Sequence, residues 1–294
     1  MAKVSFYDQI SKNKRNSFFL IIFIFGLVAG LLYVIGYLLF PEAAIFFLVF
    51  AVVWVSAQAF VSYRFGDQVV LKATKAEPAD PTEHAYLINT VEGLSIAAGI
   101  PPPKVYVVDD PEINAFACGR GPNNASIAVT TGALENLNRS ELEGVVGHEM
   151  SHIKNYDVRF MTLVAVFVGL IAILSYILLR SYLSSRGDNR SKAGLLIVVG
   201  FIFAILAPVV SRLVQAIISR RREYLADASS AELTRYPEGL ASALEKIKNK
   251  NKGNMDVSEA ISHLFISDPK ISTLDSIFAT HPPLEKRIEV LREM

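Results

Sequence analysis

Apolar residues in this chain are gathered into four long runs, and between them the pattern breaks into short periodic stretches. Residues 17–40 hold no charge, and after Pro41 and Glu42 a second run extends from 43 to about 62. A helix needs about 20 apolar residues to cross a hydrocarbon core, so the pair predicts a transmembrane hairpin over 17–63. A cleaved signal peptide also begins with basic residues, here Lys3, Lys12, Lys14 and Arg15. Its apolar core is only about 7–15 residues long, however, and no second span follows it at once. Runs at 160–179 and 193–210, the latter with Pro208 near its end, predict a second hairpin over 158–210.

The positive-inside rule puts the basic segment 1–16 in the cytoplasm, and paired crossings return the chain there. Against that topology, the connector between the third and fourth runs carries Arg180, Arg186, Arg190 and Lys192 with only Asp188 to offset them. Four spans leave about 200 residues, enough for one ordinary soluble domain. That domain is split in sequence into a first part, 64–157, and a second part, 211–294.

Within the soluble parts the periods are shorter. Asp80 before Pro81 reads as a helix N-cap followed by proline at the first helical position, and Gly99 as the terminator, which predicts a helix over 81–98. After Pro101, Pro102 and Pro103, three β-rich runs at 104–108, 114–118 and 126–130 are punctuated by Gly119, Gly121, Pro122, Asn123 and Asn124. They predict a small antiparallel sheet. Ser140, with Glu143 three places on, reads as a capping box opening a helix whose apolar side is Leu142, Val145, Val146 and Ile153.

Composition narrows the class. Of 294 residues 52% are apolar and 19% charged, below the roughly 25% charged of soluble proteins, so disorder is excluded as a general state. A net charge of +1 from 29 basic and 28 acidic residues leaves no basic excess of the kind nucleic-acid binding needs. One cysteine, Cys118, excludes an internal disulfide and a four-cysteine metal site.

Two of the five histidines stand at His148 and His152 on that capped helix, with Glu149 between them: the pattern H-E-x-x-H. Residues four apart share one face, so the imidazoles converge as two ligands of a tetrahedral metal must. Glu149 lies about 100° round the helix, placed to act on a water without ligating. An accidental surface pattern is the plainer alternative, but the helix cap and the scarcity of histidine weigh against it. A catalytic zinc needs a third protein ligand and an open fourth position. Glu223, in helix-compatible sequence after the fourth run, can supply it, while Asp227 four residues on can accept the free N–H of a ligating imidazole. Taken alone, Glu223 and Asp227 also read as an acidic surface pair balancing Arg220, Arg221 and Arg222. Arg287 is a candidate partner for Asp227, and His84 and His263 read as surface or packing residues.

These residues together resemble the HtpX-type membrane metallopeptidases, relatives of the CAAX prenyl proteases. The resemblance rests on the first hairpin, Asn114-Ala115-Phe116-Ala117, Gly147 to Ile153 around H-E-x-x-H, Glu223 to Asp227, and Thr280-His281-Pro282-Pro283. It implies an α+β membrane protein, mainly helical, with a zincin-like (gluzincin) catalytic domain joined to four transmembrane helices. It further implies one zinc on His148, His152 and Glu223, with Glu149 as general base. Cleavage of misfolded or unfolded membrane polypeptides at the cytoplasmic face of a bacterial inner membrane follows from the same likeness, with the lipid bilayer as partner.

For substrate, residues 114–117 are expected to form a free sheet edge that pairs with an extended peptide. A plain buried strand is the alternative for Asn114, Ala115 and Phe116. His281, held before two prolines, is expected to support the oxyanion or to be structural. Two rival readings remain. An intramembrane metalloprotease is disfavoured by Arg139, Glu141, Glu143, Lys154 and Asp157 around the motif, since charge at membrane depth is costly. A catalytically silent membrane scaffold has no use for Glu149.

Overall fold

The computed structural model describes residues 41–184, 220–270 and 282–294, with single helical positions between 15 and 37 and between 201 and 205. The chain divides into two units, residues 1–65 with 166–210, and residues 66–165 with 211–294.

In the first unit a short 3-10 turn at Pro41–Ala43 leads into α1, Ala44–Ala73. Large apolar side chains along it stand exposed, among them Phe46, Val49, Phe50 and Val53. An uninterrupted apolar surface of this kind suits contact with lipid better than contact with water. Among the described residues one helix, Pro41–Ala73, is long and apolar enough to cross a membrane. Four crossings were expected. The run at 17–40 is described only at single positions, and the run at 193–210 lies almost wholly outside the described residues. The run at 160–179 falls within a helix, Asp157–Ser184. Its first turns, Val158 to Ala165, pack apolar side chains into the second unit.

The second unit carries a four-stranded sheet of β1 (Glu77–Pro78), β2 (Lys104–Val108), β3 (Ala115–Gly121) and β4 (Asn124–Thr130), in the order β1-β2-β4-β3. The three expected strands are present, but the sheet is mixed rather than antiparallel. β3 and β4 form the antiparallel hairpin that the glycines signal, and β4 then runs parallel to β2. Parallel neighbours need a crossover of about a dozen residues or more, and residues 109–123 supply it. The hairpin requires its glycine: Gly119 has φ +135°, and a Cβ there would meet the Asn124 carbonyl.

The helices are α2 (Ala85–Ala98), α3 (Thr131–Asn136), α4 (Arg139–Lys154), α5 (Asp157–Ser184), α6 (Arg220–Thr234), α7 (Pro237–Lys250), α8 (Glu259–Ser262) and α9 (Leu284–Arg292). α2 ends at left-handed Gly99 as expected but begins four residues late. The cause is Asp80, whose carboxylate accepts the N–H groups of Thr82 and Glu83 at 2.8 and 3.0 Å and closes a separate turn first. The N-cap of α4 is also two residues earlier than expected. Asn138 accepts from the Glu141 N–H, and Glu141 accepts from the Asn138 N–H at 2.7 Å, which is the reciprocal box. Ser140 donates to Asn138 instead, and Glu143 pairs with Arg139 at 3.2 Å.

α4 is the centre of this unit. Leu87 and Val91 of α2, Ile127 and Val129 of β4, Leu240 and Leu244 of α7, and Leu291 of α9 join its Val145, Val146, Met150 and Ile153 in one core. From Gly144 to Ile153 every position is buried. Burying polar groups without partners costs several kcal/mol, roughly 2–7 per group, so His148, Glu149, Ser151 and His152 on this helix demand an internal polar network.

Candidate active site

That network starts from helical spacing. His148 and His152 lie one turn apart on α4, their rings edge to face with centroids 4.8 Å apart. Their Nε2 atoms approach to 3.2 Å. α6 crosses close beside them, because Gly147 leaves it room, as Gly144 does for α7, where a Cβ would come within 2.6 Å of the Leu240 nitrogen. A Cβ on Gly147 would come within 2.8 Å of the Ser230 Oγ, and that hydroxyl donates to the Gly144 carbonyl at 2.6 Å. The crossing brings Glu223 to the two imidazoles, 3.6 Å from Nε2 of His148 and 3.5 Å from Nε2 of His152. All three side chains are buried, with one donor atom from each within 4.8 Å of the others.

Each imidazole is gripped from behind. His148 Nδ1 lies 2.9 Å from Asp227 Oδ1, and His152 Nδ1 lies 3.3 Å from Asp157 Oδ2. An ionised carboxylate only accepts, so both Nδ1 atoms must donate, and a neutral ring then turns a bare lone pair outward at Nε2. Two such lone pairs face each other at 3.2 Å beside a carboxylate. This arrangement is repulsive unless positive charge lies among the three groups, as protons on the rings or as a metal cation. Zinc bonds of about 2.0–2.1 Å give a tetrahedral edge of about 3.4 Å, close to the 3.2 Å between the two imidazoles, and each Glu223 oxygen stands at a similar distance from one ring, Oε1 3.5 Å from His152 and Oε2 3.6 Å from His148. Charge agrees with geometry. The buried carboxylates Glu149, Asp157, Glu223 and Asp227 face two guanidinium groups, Arg222 and Arg287, so the excess is that of one divalent cation. The donor set therefore fits zinc.

Protonation without metal follows the same field. Burial alone would lower the His148 pKa, but hydrogen bonds to Asp227 and Glu223 outweigh it and push it up to about 9. His152 is likewise raised, burial being overcome by Asp157 and Glu223. For Asp227 burial acts upward, yet the Arg287 charge and the bond from His148 hold it below the ordinary value. Arg287, fully buried on α9, donates through Nε and an NH2 group to both Asp227 oxygens at 2.9 and 2.7 Å, and through another to the Ile266 carbonyl at 3.1 Å. The expected Arg287–Asp227 pairing is thus present.

Glu149, expected as the base, is 1% exposed and follows His148 on the same helix. Its charge is felt both by Arg287 and by Cys118 of β3, whose thiol pKa is raised chiefly by burial. Two members of the network were not read from the sequence. Asp157 lies beyond the helix end, and Arg222 precedes Glu223, its guanidinium 3.4 Å from Asp157 Oδ1. The signal available was chemical: a second ligating imidazole needs its own acceptor, and Asp157 is the first acid after His152.

The expected free edge at 114–117 is corrected. The Ile266 N–H donates to the Ala115 carbonyl at 2.9 Å, and Phe116 bridges Phe265 with rings 4.9 Å apart. Asn114 is buried, its amide donating to the Ser267 carbonyl at 3.0 Å. Farther along, Gly119 donates to Thr162 and the Arg120 carbonyl accepts from Arg159, each at 2.9 Å. The apolar run Leu264-Phe265-Ile266 gains more by burial against the strand than by exposure to solvent, so the edge is taken by the chain itself. His281 lies outside the described residues. His263 packs in the interior with Nε2 3.1 Å from the Met161 carbonyl, and His84 accepts the Asp80 N–H at 3.0 Å.

Residues 81–294 match Peptidase family M48. The chain is 44% identical to a Protease HtpX homolog of Dictyoglomus turgidum, covering 100% of this chain and 96% of that protein. To proteins of the same description from Caldanaerobacter subterraneus subsp. tengcongensis and Streptococcus uberis it is 41% and 42% identical. The shares covered are 100% and 98% of this chain and 99% of each relative. Among solved structures, S. mikatae Ste24p matches with a TM-score of 0.50 at 19% identity, over 92% of this chain and 63% of that one. That likeness concerns the fold.

Proposed function

The chain belongs to peptidase family M48, and on that premise we propose that it is a membrane-bound zinc endopeptidase. The observation that carries the reading is the buried convergence of His148, His152 and Glu223, with Glu149 on the same helix. The two imidazoles and Glu223 would hold the metal. Zinc, when bound in such a site, polarises the scissile carbonyl and makes a water nucleophilic near neutral pH.

The chain's own residues do the rest. Glu149 accepts the proton of the attacking water and delivers it to the departing amine as the peptide bond breaks, a transfer that needs no covalent enzyme intermediate. Asp227 holds His148 Nδ1–H and so keeps its Nε2 lone pair free. Arg287 keeps Asp227 ionised. Burial of the cluster excludes competing solvent and strengthens each of these contacts.

The substrates in this reading are unfolded or misfolded polypeptides, membrane proteins among them, handled in quality control. Support for a membrane setting comes from Pro41–Ala73 and its exposed apolar surface. The basic residues at 3, 12, 14 and 15 favour a multi-pass chain of a bacterial inner membrane with its peptidase unit in the cytoplasm. Cys118 is buried with its thiol pKa raised, so a cysteine placed at exposed Lys104 reports orientation cleanly. An impermeant maleimide should label it in inside-out vesicles and not in right-side-out ones.

The deciding experiment measures zinc content and chelator-sensitive cleavage of an unfolded protein by purified full-length chain. Glu149→Gln should keep its zinc and lose cleavage, whereas His148→Ala, His152→Ala and Glu223→Ala should lose the zinc. Cleavage by Glu149→Gln at the wild-type rate would overturn the role of Glu149 as base, and a wild-type chain that holds zinc but cleaves nothing would favour a scaffold with an incidental metal.

A further inference from the structure

The cluster has a second arm with no part in the reading above. We propose that Asp157 and Arg222 act together as the positioning pair for His152, fixing which of its ring nitrogens faces the metal; this rests on the zinc reading. A neutral imidazole can carry its proton on either nitrogen. If His152 carried it on Nε2, that N–H would point into the cluster, toward the His148 Nε2 only 3.2 Å away. Asp157 removes the ambiguity, because its carboxylate 3.3 Å from Nδ1 can only accept.

Local structure aims that carboxylate. α4 stops at Asn155, and Tyr156 takes a left-handed conformation, φ 62°, unusual for a residue with a side chain. Its N–H bonds back to the Ile153 carbonyl at 3.1 Å. The turn bends the chain by 86°, so that the carboxylate of the next residue, Asp157, reaches the ring five positions earlier. As the first residue of α5, Asp157 also sits where the partial positive charge of a helix start favours a carboxylate. Gly121 makes room for the turn: a Cβ there would come within 2.7 Å of the Tyr156 ring.

Arg222 holds the other oxygen. Its guanidinium is 3.4 Å from Asp157 Oδ1, 9% exposed, and lies over the Phe160 ring with 5.8 Å to the centroid. It stands immediately before Glu223 on α6, so the helix that brings the third ligand to the imidazoles also brings the brace for the second. Asp157 opens the helix that runs on into the third apolar run, and Arg222 lies in the first turn of the helix that follows the fourth.

The test is zinc affinity of the purified full-length protein, read by competition with a chromophoric chelator, with thermal unfolding as the check on folding. Asp157→Asn should weaken zinc by about 10- to 100-fold, and Asp157→Glu, which keeps an acceptor-only group, should recover part of the loss. Arg222→Gln should weaken zinc by less, and should add nothing in the Asp157→Asn background, because it acts through Asp157. Cobalt bound in place of zinc should show shifted visible bands in Asp157→Asn, a change that mere loss of stability does not produce. Zinc held by folded Asp157→Asn at wild-type strength, or an Arg222→Gln effect of full size without Asp157, would overturn the pair's role and leave the zinc reading standing. A wild-type chain that binds no zinc would overturn both.

Discussion

His148 meets Asp227 at 2.9 Å, and that carboxylate is gripped on both oxygens by Arg287 at 2.9 and 2.7 Å, all of it fully buried. His152 meets Asp157 at 3.3 Å, and Arg222 reaches one Asp157 oxygen at 3.4 Å near the rim. Both arms use the sequence histidine, aspartate, arginine. They differ in where the arginine comes from. Arg287 arrives on α9, a helix packed in the core of the unit, and its charge answers Glu223 at 3.8 Å as well as Asp227. Arg222 arrives on the helix that carries Glu223 itself and lies over the Phe160 ring of α5. The first arm is therefore part of the fold's own stability, and the second can be altered with less damage to the core.

Removing Arg287 breaks this comparison most severely. Arg287→Met should leave Asp227 and Glu223 as uncompensated buried charges and cost about 3–5 kcal/mol of stability. Arg222→Met, losing one longer contact nearer the surface, should cost about 1 kcal/mol. Denaturant unfolding of both variants without metal decides the matter, and equal losses would remove the distinction between the arms. Next in size, Asp227→Asn should weaken zinc by about 100-fold, at the upper end of the range for such partners. The same chelator competition should find it weaker than Asp157→Asn, since the shorter contact does more to fix its ring.

The unequal arms also explain what could be read from the residues alone. Helical spacing was enough to join His148 to His152 and Glu223 to Asp227, because four-residue pairs lie on one face of one helix. That α6 lies against α4 depended on chemistry, on the need of two histidines for a third ligand, and the glycine-to-serine contact that permits it leaves no spacing signature. Asp157 was missed for a local reason. It is reached through a left-handed Tyr156, a conformation that composition does not announce. The sheet was legible as three strands, but its parallel pair was not, since hairpin signals report only on sequence neighbours. The edge at 114–117 was misjudged because its occupant, Phe265 and Ile266, lies some 150 residues away.

Proton binding gives a smaller contrast. His148 has its pKa raised from 6.5 to about 9 in the metal-free protein. A raised value stabilises the fold fully below the unfolded pKa, and that contribution fades as pH climbs through the folded one. Metal-free protein should thus lose stability between pH 6.5 and about 9. Zinc takes the place of the proton, so zinc-loaded protein should unfold at nearly constant temperature over the same window. Thermal unfolding with and without zinc measures this, and Asp227→Asn, which removes the main acceptor, should flatten the metal-free slope.

The smallest effect expected is one that leaves the comparison intact. Asn138 caps α4, the helix bearing both imidazoles, and its partner Glu141 is held in turn by Lys246 at 2.7 Å. Asn138→Ala removes one cap bond and should cost about 1 kcal/mol. Ser140→Ala should cost almost nothing, since that hydroxyl only donates to Asn138 at 2.9 Å. Because the cap lies ten residues before His148, its loss strains the whole helix and favours neither arm. The ratio of zinc affinities between Asp227→Asn and Asp157→Asn should then be the same in the Asn138→Ala background as in the wild type. A changed ratio would mean that the register of α4, rather than the two carboxylates, sets how tightly each ring is held.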